Sequence, residues 1–254
     1  MNSFALLGRI SEVLDHVNHF WETHPLPAPS GAAVADAVPP SVVAIDREVG
    51  TPDEEISREV GSRLDWPVYD HELLEIVARR ANWPLYAIEE LDERHVPWLQ
   101  ESFETFWAFP GVREAEFVRQ LVHTIVELGS RGQCVIVGRA ASYILPTEGA
   151  LRVRLVAARQ DRVATVARRL QVSTSEAARR IRVLERARSD FLRSHFRSAA
   201  TGIGDSALVL NTSHLSVREC SDLIVEALRR RRASSDTLCG TTNATERSAI
   251  RLLA

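Results

Sequence analysis

Four short apolar runs, "SVVAI" (41–45), "CVIVG" (134–138), "LRVRLVA" (151–157) and "ALVLN" (207–211), are separated by long stretches of helical spacing. This alternation constrains the fold more than any other feature. Runs of four to seven residues rich in valine, isoleucine and leucine read as strands, and "PVY" (67–69) is a possible fifth. Helical patterns fall at 54–64, 71–81, 114–129, 161–170, 174–196 and 217–232. Strand and helix in turn predict an α/β fold, a parallel sheet with helices on both faces.

The ends of the chain differ from this body. Phe4, Leu7, Ile10, Leu14 and Val17 recur at helical spacing, which predicts an amphipathic helix within 1–23, a candidate surface for a protein partner or a second copy. Residues 24–40 form a Pro/Ala linker, 41–232 form the folded body, and the polar, aperiodic stretch 233–254 reads as a tail. No apolar run approaches the roughly 18 residues of a membrane span. "FALLG" is too short, and too soon followed by Arg9, Glu12 and Asp15, for a signal peptide, so a cytoplasmic protein is expected.

Charge and cysteine content narrow the chemistry. A net charge of -3 gives no general pull toward nucleic acid or membrane. Cys134, Cys220 and Cys239 form no metal-ligand spacing, and Cys134, beside Val135 and Ile136, reads as a small core residue. Every basic residue is arginine; the chain contains no lysine. Chemistry that needs a lysine amine is thereby excluded, Schiff bases and a phosphate-loop lysine included.

In parallel sheets ligands sit outside the carboxyl ends of the strands. That rule directs attention to 46–54, Asp70, Arg139, the region after Ala157, and 211–213. Gly138 permits a tight strand exit, after which the Arg139 guanidinium can grip a phosphate or serve as a surface ion-pair partner. Asp70 precedes a helix and can cap it, meet a ligand, or do both. The segment 159–197 is dense in arginine, and two helices meeting near 171–175 would form a hairpin whose inner arginines could close over a polyphosphate. A rival reading of "TVARRLQVSTSEAARRI" (165–181) is a helix-turn-helix, with Ser173 or Thr174 capping a recognition helix that bears Arg179, Arg180 and Arg182. The flanking strands favour the hairpin, so nucleic acid is an unlikely partner.

Taken in order, "AIDREVG", "LDWPVYDHELLEIVA", "GQCVIVGRAASYIL", "LRVRLVAARQDRVATV", "STSEAARRIRVLERARSDFLRSHF" and "ALVLNTSHLSVRECSDLIVEAL" resemble the cytidylate kinase-like family of P-loop nucleoside monophosphate kinases. The likeness runs from about Ser41 to Arg230. It implies a P-loop fold with a five-stranded parallel sheet and an arginine-bearing helical lid. It also implies transfer of the γ-phosphoryl group of ATP, with Mg2+, to a cytidylate-type monophosphate. By that resemblance Arg139, with Gly138, holds the acceptor phosphate, Asp70 opens the monophosphate region, Arg186 and Arg188 are lid arginines, and Arg47, Gly50 and Thr51 belong to the ATP loop.

The loop departs from the family pattern. Where relatives read close to "REYGSGGREI", this chain reads "REVGTPDEEI" (47–56), so Pro52 and Asp53 replace glycines and Glu54 replaces a basic residue. A phosphate loop works through inward-pointing backbone amides at a helix N-terminus. Pro52 has no N–H, and Asp53, Glu54 and Glu55 bring up to three carboxylates. At about 4 Å and an effective dielectric of about 20, each like-charge contact costs about 4 kcal/mol. The same residues suit a capped helix start, with Thr51 or Asp53 as the cap and Pro52 in the first turn. Two outcomes follow: a kinase whose transfer is weak or lost, or a non-catalytic relative that binds a phosphorylated ligand.

Overall fold

The computed structural model describes residues 42–70, 72–80, 114–147, 149–196 and 205–233. The expected N-terminal helix, the linker, and all but the first residue of the tail lie outside the described residues. Five strands, β1 (Val42–Arg47), β2 (Val68–Tyr69), β3 (Cys134–Val137), β4 (Ala150–Val156) and β5 (Leu208–Asn211), form one parallel sheet in the order β2-β3-β1-β4-β5. Around it lie α1 (Asp53–Leu64), α2 (Glu72–Arg80), α3 (Glu114–Arg131), α4 (Ala141–Ile144), α5 (Arg159–Leu170), α6 (Thr174–His195) and α7 (217–233). This is the P-loop kinase-like architecture that the resemblance implies. α4 is one turn long and carries no sequence signal; the remaining elements fall within a few residues of their expected bounds.

The strand pairings explain why the apolar runs are unbroken. β1 is central, with Val42 opposite Cys134 on β3 and Ala150 on β4. Because successive side chains point to opposite faces, Val42, Ala44, Cys134 and Ile136 pack with Leu73 and Val77 of α2 and with Phe117, Leu121 and Ile125 of α3. On the other face, Val43, Ile45, Val135 and Val137 pack with Ile56 and Val60 of α1 and with Ile224 and Leu228 of α7. Cys134 is a buried core residue as expected, and burial pushes its thiol up to about 12.

A third apolar cluster belongs to the α5–α6 hairpin. Val166, Ala177, Ile181 and Leu184 close around Val49, which follows β1. Gln171 ends α5 in the left-handed conformation, and Ser173 caps α6 by accepting from the Glu176 amide at 3.2 Å. The turn of the helix-turn-helix reading is therefore the tip of this arginine-rich lid. Arg179 and Arg180 both pair with Glu176 along the helix. Further along α6, Phe191 joins the body core. One helix thus links the lid to the body, with Arg188 between the two anchorages.

Candidate functional site

All strands run parallel, so their carboxyl ends bring Arg47, Asp70, Gly138 and Arg139 to one edge of the sheet. The exit from β3 is unusual. Gly138, Arg139 and Ala140 are successive left-handed residues, with φ of 66°, 55° and 61°. For residues other than glycine this conformation costs roughly 1–2 kcal/mol each, and such strain gathers at functional positions. Bonds from the Gly138 amide to Ile45 O (2.8 Å) and from the Ala141 amide to Gly138 O (3.0 Å) hold the turn. Glycine at 138 also leaves room for Arg47: a Cβ there would meet Nη1 of the buried Arg47 side chain, which would have to shift.

The turn delivers Arg139, 5% exposed, to a cavity of about 40 Å³. That is several times the roughly 10–15 Å³ one water needs. Asp46, Arg47, Gly138, Tyr143, Arg188 and Leu192 also line it. Arg188 donates through Nη1 to the Arg47 carbonyl at 3.1 Å. Burial lowers Arg139 to about 10, with Arg47 adding repulsion and Asp70 opposing it. Arg188 is likewise drawn down to about 10 by burial and then by Arg47, while Asp53, Asp46 and Asp70 pull the other way.

Arg47 sits behind this cavity and is almost fully buried. Burial pulls its pKa down, but the carboxylates of Asp53, Asp70 and Asp46 outweigh it and raise the net value. It pairs through Nε with Asp53 and through Nη2 with Asp70 at 3.4 Å. Asp70 thus turns a carboxylate oxygen to Arg47, while its own amide donates to Glu72 at 3.1 Å. Asp46 pairs with Arg154 at 2.6 Å on the neighbouring strand.

The loop from Glu48 to Asp53 corrects the expected cap. The N-cap of α1 is Pro52, with no side-chain bond to the helix amides. Thr51 is buried and donates its hydroxyl to Glu48 O at 2.9 Å, and Asp53 turns to Arg47. Nor do all three acids face inward: Glu54 pairs with Arg58 at 2.6 Å and Glu55 with Arg169 at 2.9 Å. A helix permits this because consecutive residues are about 100° apart. Gly50 has φ 93°, and a Cβ there would lie 2.8 Å from the Arg162 carbonyl.

The residues present do not fit the phosphates of ATP as the loop stands. Pro52 offers no amide, the Thr51 hydroxyl donates to Glu48 O, and Asp53 brings a carboxylate to the Arg47 guanidinium. Among the described residues no group of three or more His, Cys, Asp or Glu is placed to hold a metal ion.

Of the expected site residues, Gly138, Arg139, Arg47 and Arg188 line the 40 Å³ cavity, and Asp70 joins them through Arg47. Gly50 lines a separate cavity of about 270 Å³ beyond the loop. Arg186 is set apart, with its side chain 86% exposed and 3.9 Å from Asp190. Residues two apart on a helix lie about 200° apart, so Arg186 and Arg188 cannot face one cavity, a signal already present in the sequence. Within the arginine-dense segment 159–197, nothing in the sequence separates Arg162 from its neighbours. It is buried, ion-paired with Glu48 and Glu185, and donates to Val49 O at 3.4 Å, which fastens the lid to the loop. Tyr143 and Leu192 have no sequence signal that marks them as lining residues.

The sequence profile of the cytidylate kinase-like family matches residues 42–214. No curated protein matches the chain. Among solved structures, an uncharacterized protein from Eubacterium ventriosum is 18% identical over 75% of this chain and 98% of its own, with a TM-score of 0.56. Shikimate kinases from Bacteroides thetaiotaomicron and Acinetobacter baumannii, the latter in complex with shikimate, align at 14% and 16% identity with TM-scores of 0.45 and 0.43. They cover 74% and 75% of this chain and 98% and 93% of their own. At these identities the likeness to the first structure speaks for the fold alone, and the two weaker superpositions carry no further argument.

Proposed function

The chain belongs to the cytidylate kinase-like family, and on that premise we propose that it binds the phosphate of a (d)CMP-type nucleoside monophosphate in the Arg139 cavity, with phosphoryl transfer from ATP weak or lost. The observation that carries this reading is the buried Arg139, held by a strained left-handed turn in a cavity shared with Arg47 and Arg188. Guanidinium groups that burial has partly destabilised gain more from an arriving dianion than solvated ones do. Arg139 supplies two parallel donors to the phosphate, and Gly138 lets Arg47 approach behind it. Arg188, carried on the lid, neutralises charge from the opposite side. Arg186 faces outward, so this reading gives the role of the lid to Arg188 alone.

Weak or absent transfer follows from the loop, which lacks the donors that would hold and align a γ-phosphate. Without turnover, the same cavity makes the protein a nucleotide-binding regulator, a pseudo-kinase whose partner could be a second copy or another protein engaged by the N-terminal segment. The reading implies the cytoplasm, where nucleoside monophosphates are made and used. Among the described residues no helix is long and apolar enough to cross a membrane.

Calorimetric titration with CMP and, separately, with Mg-ATP tests the proposal. CMP binds and Mg-ATP does not. Arg139→Ala lowers CMP affinity by about ten- to a hundredfold, the equivalent of about 1.5–3 kcal/mol for a charge-assisted contact. Unchanged CMP affinity in Arg139→Ala would remove the cavity from consideration. Micromolar Mg-ATP binding with turnover in a coupled ADP assay would show an active kinase instead.

A further inference from the structure

We propose that the Asp53 carboxylate is an internal stand-in for a phosphate group, which closes the phosphate loop by occupying Arg47 and so decides that the protein rejects polyphosphates. Three spaces lie along the carboxyl edge of the sheet. The Arg139 cavity, about 40 Å³, ends at Arg47; the outer cavity, about 270 Å³, ends at Gly50 and Arg169. Between them is a gap of only about 10 Å³, lined by Arg47, Glu48, Val49, Gly50, Asp53, Val166 and Arg169. It barely admits one water. A polyphosphate lying along this edge would have to cross that gap, and Asp53 with Arg47 fills it.

The Asp53 side chain is 12% exposed and that of Arg47 4%. A carboxylate so placed brings to the guanidinium, through Oδ2 on Nε, the negative charge that a phosphate oxygen would. Buried charges tolerate such placement only when matched, and here the matching partner comes from the chain itself. Glu54 pairs with Arg58, and Glu55 pairs with Arg169 beside the outer cavity, so neither touches Arg47. At the gap itself the determinant is Asp53, the loop acid that pairs with Arg47. This inference does not depend on the monophosphate reading, because Asp53 does not line the Arg139 cavity.

The test is titration of the full-length protein with inorganic tripolyphosphate at constant ionic strength, comparing wild type, Asp53→Asn and, as a control that removes the same charge from the next residue, Glu54→Gln. Asp53→Asn keeps the side-chain volume and removes one of the carboxylate charges on Arg47, which keeps Asp70 at 3.4 Å; tripolyphosphate affinity rises at least tenfold over wild type, while Glu54→Gln changes it less than threefold. Equal affinity in wild type and Asp53→Asn overturns the proposal, as does an equal gain in Glu54→Gln, which would make net loop charge the cause. Thermal unfolding supplies the second reading. If Asp53→Asn is destabilised, tripolyphosphate raises its melting temperature by more than it raises that of wild type, and a variant that no added polyphosphate stabilises overturns the proposal. Absence of CMP binding by wild type together with a tripolyphosphate gain in Asp53→Asn would defeat only the monophosphate reading; CMP binding by wild type with no tripolyphosphate gain in Asp53→Asn would defeat only this one.

Discussion

At Gly50 the backbone holds φ 93° with the Arg162 carbonyl 2.8 Å from where a Cβ would stand. Gly50→Ala therefore combines backbone strain with a clash against main chain that cannot swing aside. A loss of about 2–4 kcal/mol is expected in urea unfolding; a change under about 0.5 kcal/mol would mean that loop and lid are not in contact there. Single residues were unevenly legible in the sequence. Gly138 and Arg139 could be picked out because a strand end followed by glycine fixes where the next side chain goes. The left-handed state of Arg139 and Ala140 could not, since neither residue type favours it. Nor could sequence tell that Asp53 turns inward while Glu54 and Glu55 turn outward, because acids in a first helical turn satisfy the dipole in either orientation.

Among the elements, α6 binds the lid to the body and carries Arg188 between two apolar anchorages, Ile181 and Leu184 toward the hairpin and Phe191 toward the sheet. Its helical period was plain in the sequence, as was the hairpin turn, since Ser173 is a strong cap. The contact of the hairpin with Val49 was not, because it joins segments more than a hundred residues apart. Ile181 is 3% exposed, and Ile181→Ala should cost about 2–5 kcal/mol in the hairpin cluster. The expected result is faster amide hydrogen exchange across α5 and the first half of α6, with β1 and β3 unchanged, and weaker CMP binding as Arg188 loses its support. A uniform rise in exchange over the whole sheet would show that the hairpin has no stability of its own to lose.

For the whole molecule, fold and loop carry different information. The parallel sheet, its two packed faces and the gathering of Arg47, Asp70, Gly138 and Arg139 at one edge follow from strand-helix alternation, whereas the strand order β2-β3-β1-β4-β5 does not. Those features depend on apolar periodicity and remain intact whatever sits between Gly50 and Ile56. The loop depends instead on backbone amides and on the sign of a few charges, which periodicity does not constrain, so the same architecture can form whether or not the loop suits ATP. Restoring the family pattern through Pro52→Gly, Asp53→Gly and Glu54→Arg together should therefore bring back Mg-ATP binding on an otherwise unchanged fold. Pro52→Gly returns one amide, both glycines add conformational freedom, Asp53→Gly removes the carboxylate on Arg47, and the arginine replaces a carboxylate at the helix start, a change of two charge units at that position. Far-ultraviolet circular dichroism should match wild type while calorimetry detects Mg-ATP. A folded triple variant that still ignores Mg-ATP would move the defect from Pro52, Asp53 and Glu54 to the hairpin contact, where Arg162 pairs with Glu185 and with Glu48 of the loop.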